Sequence, residues 1–175
     1  MPERYRTIVA DPPWRYGSQK GSAARGHARN HYGTMTLDEI KALPVVDMVA
    51  DDAHLWLWGV NALMDAAYDV ARAWGFQPIT VLTWCKKQPG IGYYLRNNTE
   101  HCLFAARGKP QVPDKQAMAS WFVWPRGEHS AKPEAFYDLV EQVSPAPYVE
   151  LFARRARFGW DYWGDQSLGT AEMAA

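Results

Sequence analysis

A short apolar run, Thr7-Ile8-Val9-Ala10, meets a hard stop at Asp11-Pro12-Pro13-Trp14. The run is long enough for a β-strand and too short for a helix. Two consecutive prolines neither continue a ladder nor enter a helix interior, so the first strand must end there and the chain must turn. The turn leaves a carboxylate, two carbonyls with no N–H beside them, and a large aromatic ring at the carboxyl end of a strand. In open α/β sheets that edge is where ligands bind.

The rest of the chain alternates strand and helix patterns. Ala53 to Trp58, Gln77 to Cys85, Thr99 to Ala106, Ser120 to Trp124, Tyr148 to Ala153 and Arg157 to Trp163 read as further strands. Thr36-Leu37-Asp38-Glu39 is a capping-box pattern that predicts a short helix. Residues 61–74 place Leu63, Ala67, Val70, Ala71 and Trp74 on one helical face, and Gly75 supplies the stop. Pro133 in a first helical turn opens a helix that buries Phe136, Leu139, Val140 and Val143. Near-continuous apolar strands between helices predict an α/β fold, a mainly parallel sheet with helices on both faces.

A chain of 175 residues with nine tryptophans suits one domain with a substantial core. A single domain over residues 1–175 is expected, with a long Gly-, Ser- and Arg-rich loop at about 15–31. Long loops inside compact domains are functional or disordered. Cys85 and Cys102 have no paired spacing and read as reduced thiols of a cytoplasmic protein. The histidines at 27, 31, 54, 101 and 129 show no ligand spacing either, so no metal is expected. There is no apolar run of the roughly 18 residues a membrane span needs, nor a signal region at the N-terminus.

Lys and Arg number 19, as do Asp and Glu, which argues against a general nucleic-acid binder. The charges are segregated, however. Residues 1–31 hold six cations against two acids, and residues 84–134 eight against four, while the remaining segments are acidic. Each basic block alone reads as a solvated face. Both flank the Asp11-Pro12-Pro13-Trp14 turn, which suits a phosphate-facing surface.

A carboxylate and a proline carbonyl can accept the two hydrogens of a planar amino group. The ring of Trp14 can stack on the heterocycle that carries it. Fixed acceptors favour the tetrahedral geometry in which a delocalised amino nitrogen attacks an electrophile, a form of electrostatic preorganisation. Taken alone, the tetrapeptide reads equally well as a strand-ending turn with a core tryptophan.

Asp11-Pro12-Pro13-Trp14 resembles the catalytic signature of the MTA-type adenine-N6 methyltransferases, the family of the catalytic subunit of the eukaryotic mRNA adenosine methyltransferase and of related bacterial and phage DNA enzymes. Further segments match in order: Tyr32-Gly33-Thr34-Met35, Asp51-Asp52 before Leu55-Trp56-Leu57-Trp58, Glu100-His101-Cys102-Leu103, His129-Ser130-Ala131-Lys132-Pro133, Glu150-Leu151-Phe152-Ala153-Arg154 and Trp163-Gly164-Asp165-Gln166. The likeness covers roughly residues 7 to 166.

The resemblance implies a Rossmann-like class I S-adenosylmethionine-dependent methyltransferase fold and methyl transfer to adenine N6, in a single catalytic domain over residues 1–175 whose active-site loop is the segment at about 15–31, with no separate target-recognition domain. DNA is the favoured substrate, because compact stand-alone members look prokaryotic or viral. RNA methylation and a catalytically inactive nucleic-acid-binding subunit are the alternatives. It assigns Asp11, Pro12, Pro13 and Trp14 to catalysis. Lys132, Glu150, Phe152, Arg154, Asp165 and Gln166 go to S-adenosylmethionine, and Tyr32 and Glu100 to the substrate adenine. Lys132 otherwise reads as a solvated lysine at a helix start.

Arg15, Lys20, Arg25 and Arg29, with the basic segment 86–96, are left to contact the nucleic acid. Because phosphate contacts position without specifying, short or relaxed sequence specificity is expected, or help from a second copy or subunit. A base inside a duplex is out of reach, so the target must be flipped out or single-stranded. Two departures touch the cofactor side. Asp165 stands where the family often has Asn, and Ala156-Arg157 where eukaryotic members have His-Asn. No G-x-G-x-x-G phosphate cradle is present.

Overall fold

The computed structural model describes residues 4–15, 33–88, 90, 94–112, 118–125 and 131–163. Seven strands form one sheet: β1 (Tyr5–Ala10), β2 (Val49–Gly59), β3 (Gln77–Cys85), β4 (Thr99–Arg107), β5 (Trp121–Val123), β6 (Tyr148–Leu151) and β7 (Trp160–Trp163). Their order across the sheet is β5-β3-β4-β2-β1-β6-β7. β4 pairs antiparallel with both β2 and β3, and the remaining pairings are parallel. All strands but β4 therefore run the same way, the mainly parallel α/β sheet of a class I methyltransferase fold.

The helices are α1 (Leu37–Lys41), α2 (Val45–Met48), α3 (Met64–Ala73) and α4 (Glu134–Val143), with a 3₁₀ turn at Asn61–Leu63 leading into α3. The capping box forms as the sequence predicts. The Thr36 hydroxyl accepts from the Glu39 amide at 3.2 Å, and the Glu39 carboxylate accepts from the Thr36 amide at 2.7 Å. α3 ends at Gly75 with φ +80°. The Phe76 and Gly75 amides reach back to the Ala71 and Arg72 carbonyls at 2.9 and 3.0 Å, the paired bonds of a Schellman stop. Pro133 sits one residue before α4 as its N-cap rather than inside the first turn.

Alternation along the strands divides the core in two. Ile8, Ala10, Leu55, Leu57, Leu103 and Ala105 face α3 through Ala67, Val70, Ala71 and Trp74. Val9, Trp56, Trp58, Leu82, Trp84 and Cys102 face α4 through Phe136, Tyr137, Leu139 and Val140. Helices thus cover both faces. Two strands end sooner than the sequence pattern suggests. β6 stops at Leu151 because Phe152 takes φ +64°, and β7 begins only at Trp160 because Gly159 (φ +79°) closes a turn over residues 157–159.

Both cysteines are free thiols. Among the described residues no helix is long and apolar enough to cross a membrane.

Candidate active site

In this sheet the carboxyl ends of β1, β2, β3, β6 and β7 lie at one edge, together with the amino end of the reversed strand β4. The chain order changes direction between β1 and β6, whose neighbours lie on opposite sides. A crevice opens outside such a switch point. Asp11 follows β1 on one side of it and Phe152 follows β6 on the other.

The Asp-Pro-Pro-Trp turn is fastened from both sides. The Trp14 amide donates to the Pro12 carbonyl at 2.8 Å, and the Met35 amide donates to the Pro13 carbonyl at 2.9 Å. The Arg15 amide returns a bond to the Met35 carbonyl at 3.1 Å, completing a small parallel bridge. Each proline carbonyl keeps one lone pair. The Trp14 ring is packed into the core at 7% exposure, and its indole N–H donates to the Trp58 carbonyl at 3.0 Å. The expectation of an open stacking face is corrected on this point. Apolar burial and the indole bond make Trp14 a floor under the turn, as the reading of a strand-ending turn with a core tryptophan expects.

Three charged groups from distant segments meet above that floor. The Lys132 ammonium lies 3.0 Å from Asp11 Oδ2 and 3.0 Å from Glu100 Oε2. It also stands over the Trp58 ring, 4.6 Å from its centroid, a cation–π contact of a largely buried ammonium. Burial pushes the ammonium down, but Asp11 and Glu100 outweigh it and hold Lys132 above the ordinary lysine value. Burial likewise pushes Glu100 up, and Lys132 with Lys86 overcomes it, leaving the carboxyl below its usual range. Lys86, the first residue after β3, pairs with Glu100 Oε1 and covers the Trp84 ring at 4.6 Å.

Glu150 lies behind this group, 7% exposed, and accepts from the Tyr137 hydroxyl at 2.8 Å. Burial, with the negative charge of Asp11, raises its carboxyl to about 7 although the Tyr137 bond and the nearby cations oppose the shift. Arg155 ties α4 to this corner. It donates to the Lys132 carbonyl at 3.2 Å, pairs with Glu134 and lies 5.3 Å from the Tyr137 ring centroid. Arg157 turns outward instead. Its guanidinium binds Glu134, Asp138 and Glu141 at 2.7, 2.8 and 3.0 Å, a carboxylate stripe along α4. It therefore takes no place on the cofactor side, because helical spacing gathers three acids to meet it.

The fold thus brings together Asp11, Pro12, Pro13, Trp14, Glu100, Lys132, Glu150 and Phe152. Arg154 is exposed just beyond β6, and Arg15 is exposed with its guanidinium 3.3 Å from the Thr34 carbonyl. Lys20, Arg25, Arg29, Tyr32, Asp165 and Gln166 lie outside the described residues. Trp58, Tyr137 and Arg155 were given no site role by the sequence reading, and Lys86 entered it only as part of the basic segment 86–96. Its place just after β3, at the ligand-bearing edge, is the local signal that could have marked it as a site residue.

A family model described as MT-A70 matches residues 5–166. The type II methyltransferase M.MunI of a Mycoplasma species is 33% identical over 180 residues, covering 93% of this chain and 77% of that protein. The human N(6)-adenosine-methyltransferase catalytic subunit METTL3 is 28% identical over 177 residues, 95% of this chain but 29% of its own length. The MT-A70-like N(6)-adenosine-methyltransferase of Drosophila melanogaster is 29% identical over 160 residues, 86% of this chain and 24% of the fly protein.

Proposed function

The chain belongs to the MT-A70 family of adenine-N6 methyltransferases, and from that premise we propose that it transfers a methyl group from S-adenosylmethionine to the N6 nitrogen of adenine in DNA. One observation carries the reading. Asp11 is held through Oδ2 by Lys132 at 3.0 Å, beside the free lone pair of the Pro12 carbonyl, at the switch point of the sheet.

Asp11 Oδ1 and the Pro12 carbonyl then accept the two amino hydrogens of the adenine. Drawing on both hydrogens pulls the nitrogen out of conjugation and aims its lone pair. Lys132 fixes the rotamer of Asp11, and Glu100 with Lys86 fixes Lys132. Partial burial of these side chains strengthens each of these contacts relative to open water.

S-Adenosylmethionine, when bound, supplies a methyl group made electrophilic by its sulfonium sulfur. It carries a carboxylate, an ammonium, a ribose diol and an adenine, and the donor set at the edge fits those groups. Lys132 is engaged by two carboxylates, and Arg154, exposed just beyond β6, suits the cofactor carboxylate. Glu150 Oε2 suits a sugar hydroxyl and Phe152 a ring face; Asp165 and Gln166, which the resemblance assigns to the cofactor, lie outside the described residues.

DNA is favoured over RNA because the match runs along 77% of the compact type II methyltransferase and only 29% of METTL3. The names of the eukaryotic relatives favour RNA as the second reading. The free Cys85 and Cys102 suit a reducing, cytoplasmic setting. Labelled S-adenosylmethionine offered with DNA and RNA of one sequence separates the readings. Wild type should label adenine in DNA, and Asp11→Ala should lose activity on the order of 10²–10³-fold. Transfer to RNA alone would refute the DNA assignment, and no transfer by wild type to either nucleic acid would refute the enzyme.

A further inference from the structure

Past the sheet, the described limbs of the connection between β3 and β4 stay paired. The Lys86 amide donates to the Asn98 carbonyl and the Gly90 amide to the Asn97 carbonyl, both at 2.7 Å. Its root is locked into the active site, where Lys86 and Glu100 pair across the two limbs. On its returning limb Tyr94 is 95% exposed and Leu95 82% exposed. Residues 86–98 carry Lys86, Lys87 and Arg96 and no carboxylate, and Lys87 and Arg96 are exposed on either side of the apolar pair. Side chains this exposed add little apolar burial to the fold. An apolar pair between cations, on a limb rooted at the proposed adenine site, suits a surface that is apolar inside and anionic outside.

We propose that this hairpin is a wedge into duplex DNA, with Tyr94 and Leu95 filling the gap left when the target adenine is flipped into the pocket; the proposal rests on DNA being the substrate. The dimensions agree. Tyr94 and Leu95 lie five to six residues from Glu100 in the chain, a reach of about 15–20 Å in extended backbone, against a major groove about 8.5 Å deep. Apolar wedges inserted between base steps are a known device for unstacking a duplex, and an aromatic ring replaces a lost stacking partner without regard to sequence. Lys87 and Arg96 then fall where the phosphates of the opened step lie. The wedge belongs to flipping and not to methyl transfer, so single strands, whose bases are already accessible, should not need it.

Unmethylated duplex DNA and the same DNA heat-denatured serve as paired substrates, with tritiated S-adenosylmethionine as donor. The variants are Tyr94→Ala/Leu95→Ala and Tyr94→Phe. The double variant should lose at least about tenfold in kcat/KM on the duplex, stay within about twofold of wild type on denatured strands, and melt at the wild-type temperature. Tyr94→Phe, which keeps the ring, should stay near wild type on both. Equal loss on the two substrates, no loss on the duplex, or a wild type active only on denatured strands would overturn the wedge. A wild type that labels neither form of DNA would remove the substrate reading itself, and the wedge with it.

Discussion

Glu150→Gln should make the protein more stable in alkaline solution while making it a poorer enzyme. Glu150 is buried at 7% exposure, and burial raises its carboxyl from 4.5 to about 7. Below pH 4.5 both the folded and the unfolded chain hold the proton, and burial costs nothing. Between 4.5 and about 7 the unfolded chain ionises first, so the cost grows with pH, and above about 7 it is constant. Each pH unit between those two values adds about 1.4 kcal/mol, so the full cost is about 3 kcal/mol. Glutamine keeps an oxygen for the Tyr137 hydroxyl and has no charge to bury. The variant should therefore match wild type near pH 4 and exceed it by about 3 kcal/mol at pH 8, or about 6–12 °C in Tm for a chain of this size. Melting of both proteins across pH 4–8 reads this directly, because every other titration is common to the two. A gap that does not change with pH, or a variant less stable at pH 8, would refute the reasoning. Methyl transfer should fall in the same variant, the trade expected where a destabilised group serves a site.

Lys132→Met leaves Asp11 and Glu100 facing each other without their shared cation. Two charge-assisted bonds of 3.0 Å are lost; discounted for partial exposure, they amount to about 2–3 kcal/mol at pH 7, and transfer should drop on the order of 10²-fold. Because Glu100 is held below its usual range, the stability it contributes is present above about 4.5 and lost as pH falls further. The urea-unfolding gap from wild type should therefore shrink below pH 4, and a constant gap would count against the triad. Gly108→Ala should cost at least about 2 kcal/mol with no direct effect on the site. Its φ is +63° and a Cβ there would collide with the Asp51 carbonyl and the Asp52 carboxylate; urea unfolding within about 0.5 kcal/mol of wild type would contradict this.

Where local rules suffice, the sequence was legible. The bounds of β3 match the expected Gln77–Cys85, and the capping box of α1 and the glycine stop of α3 form from residues a few positions apart. α2 escaped because Val45–Met48 is a single turn behind Pro44, too short to show a period. The early start of β2 escaped because Asp51 and Asp52 break the apolar pattern while the backbone already pairs, with Val49 opposite Tyr5. Lys132 is the instructive site residue. Its sequence position suggested a free cation at a helix start, yet in space it is enclosed by Asp11, Glu100 and the Trp58 ring, none of them near it in the chain.

The direction of one strand decides whether this site exists. Side chains reach the ligand edge either from the end of a forward strand or from the start of a reversed one. Asp11 and Lys86 come by the first route and Glu100 by the second. Were β4 parallel to its neighbours, Glu100 would lie at the opposite edge, roughly 25–30 Å away for a strand of nine residues at about 3.3 Å each. Lys132 would then lose its second carboxylate, and Lys86 its partner. The β3–β4 hairpin that reverses the strand is also the segment that presents Tyr94 and Leu95. One topological choice thus completes the charge network around Asp11 and presents the exposed Tyr94 and Leu95 on the limb leading into β4. Both follow from pairing β4 antiparallel to β2 and β3, a choice made by long-range ladder contacts and not by any residue type within the strand.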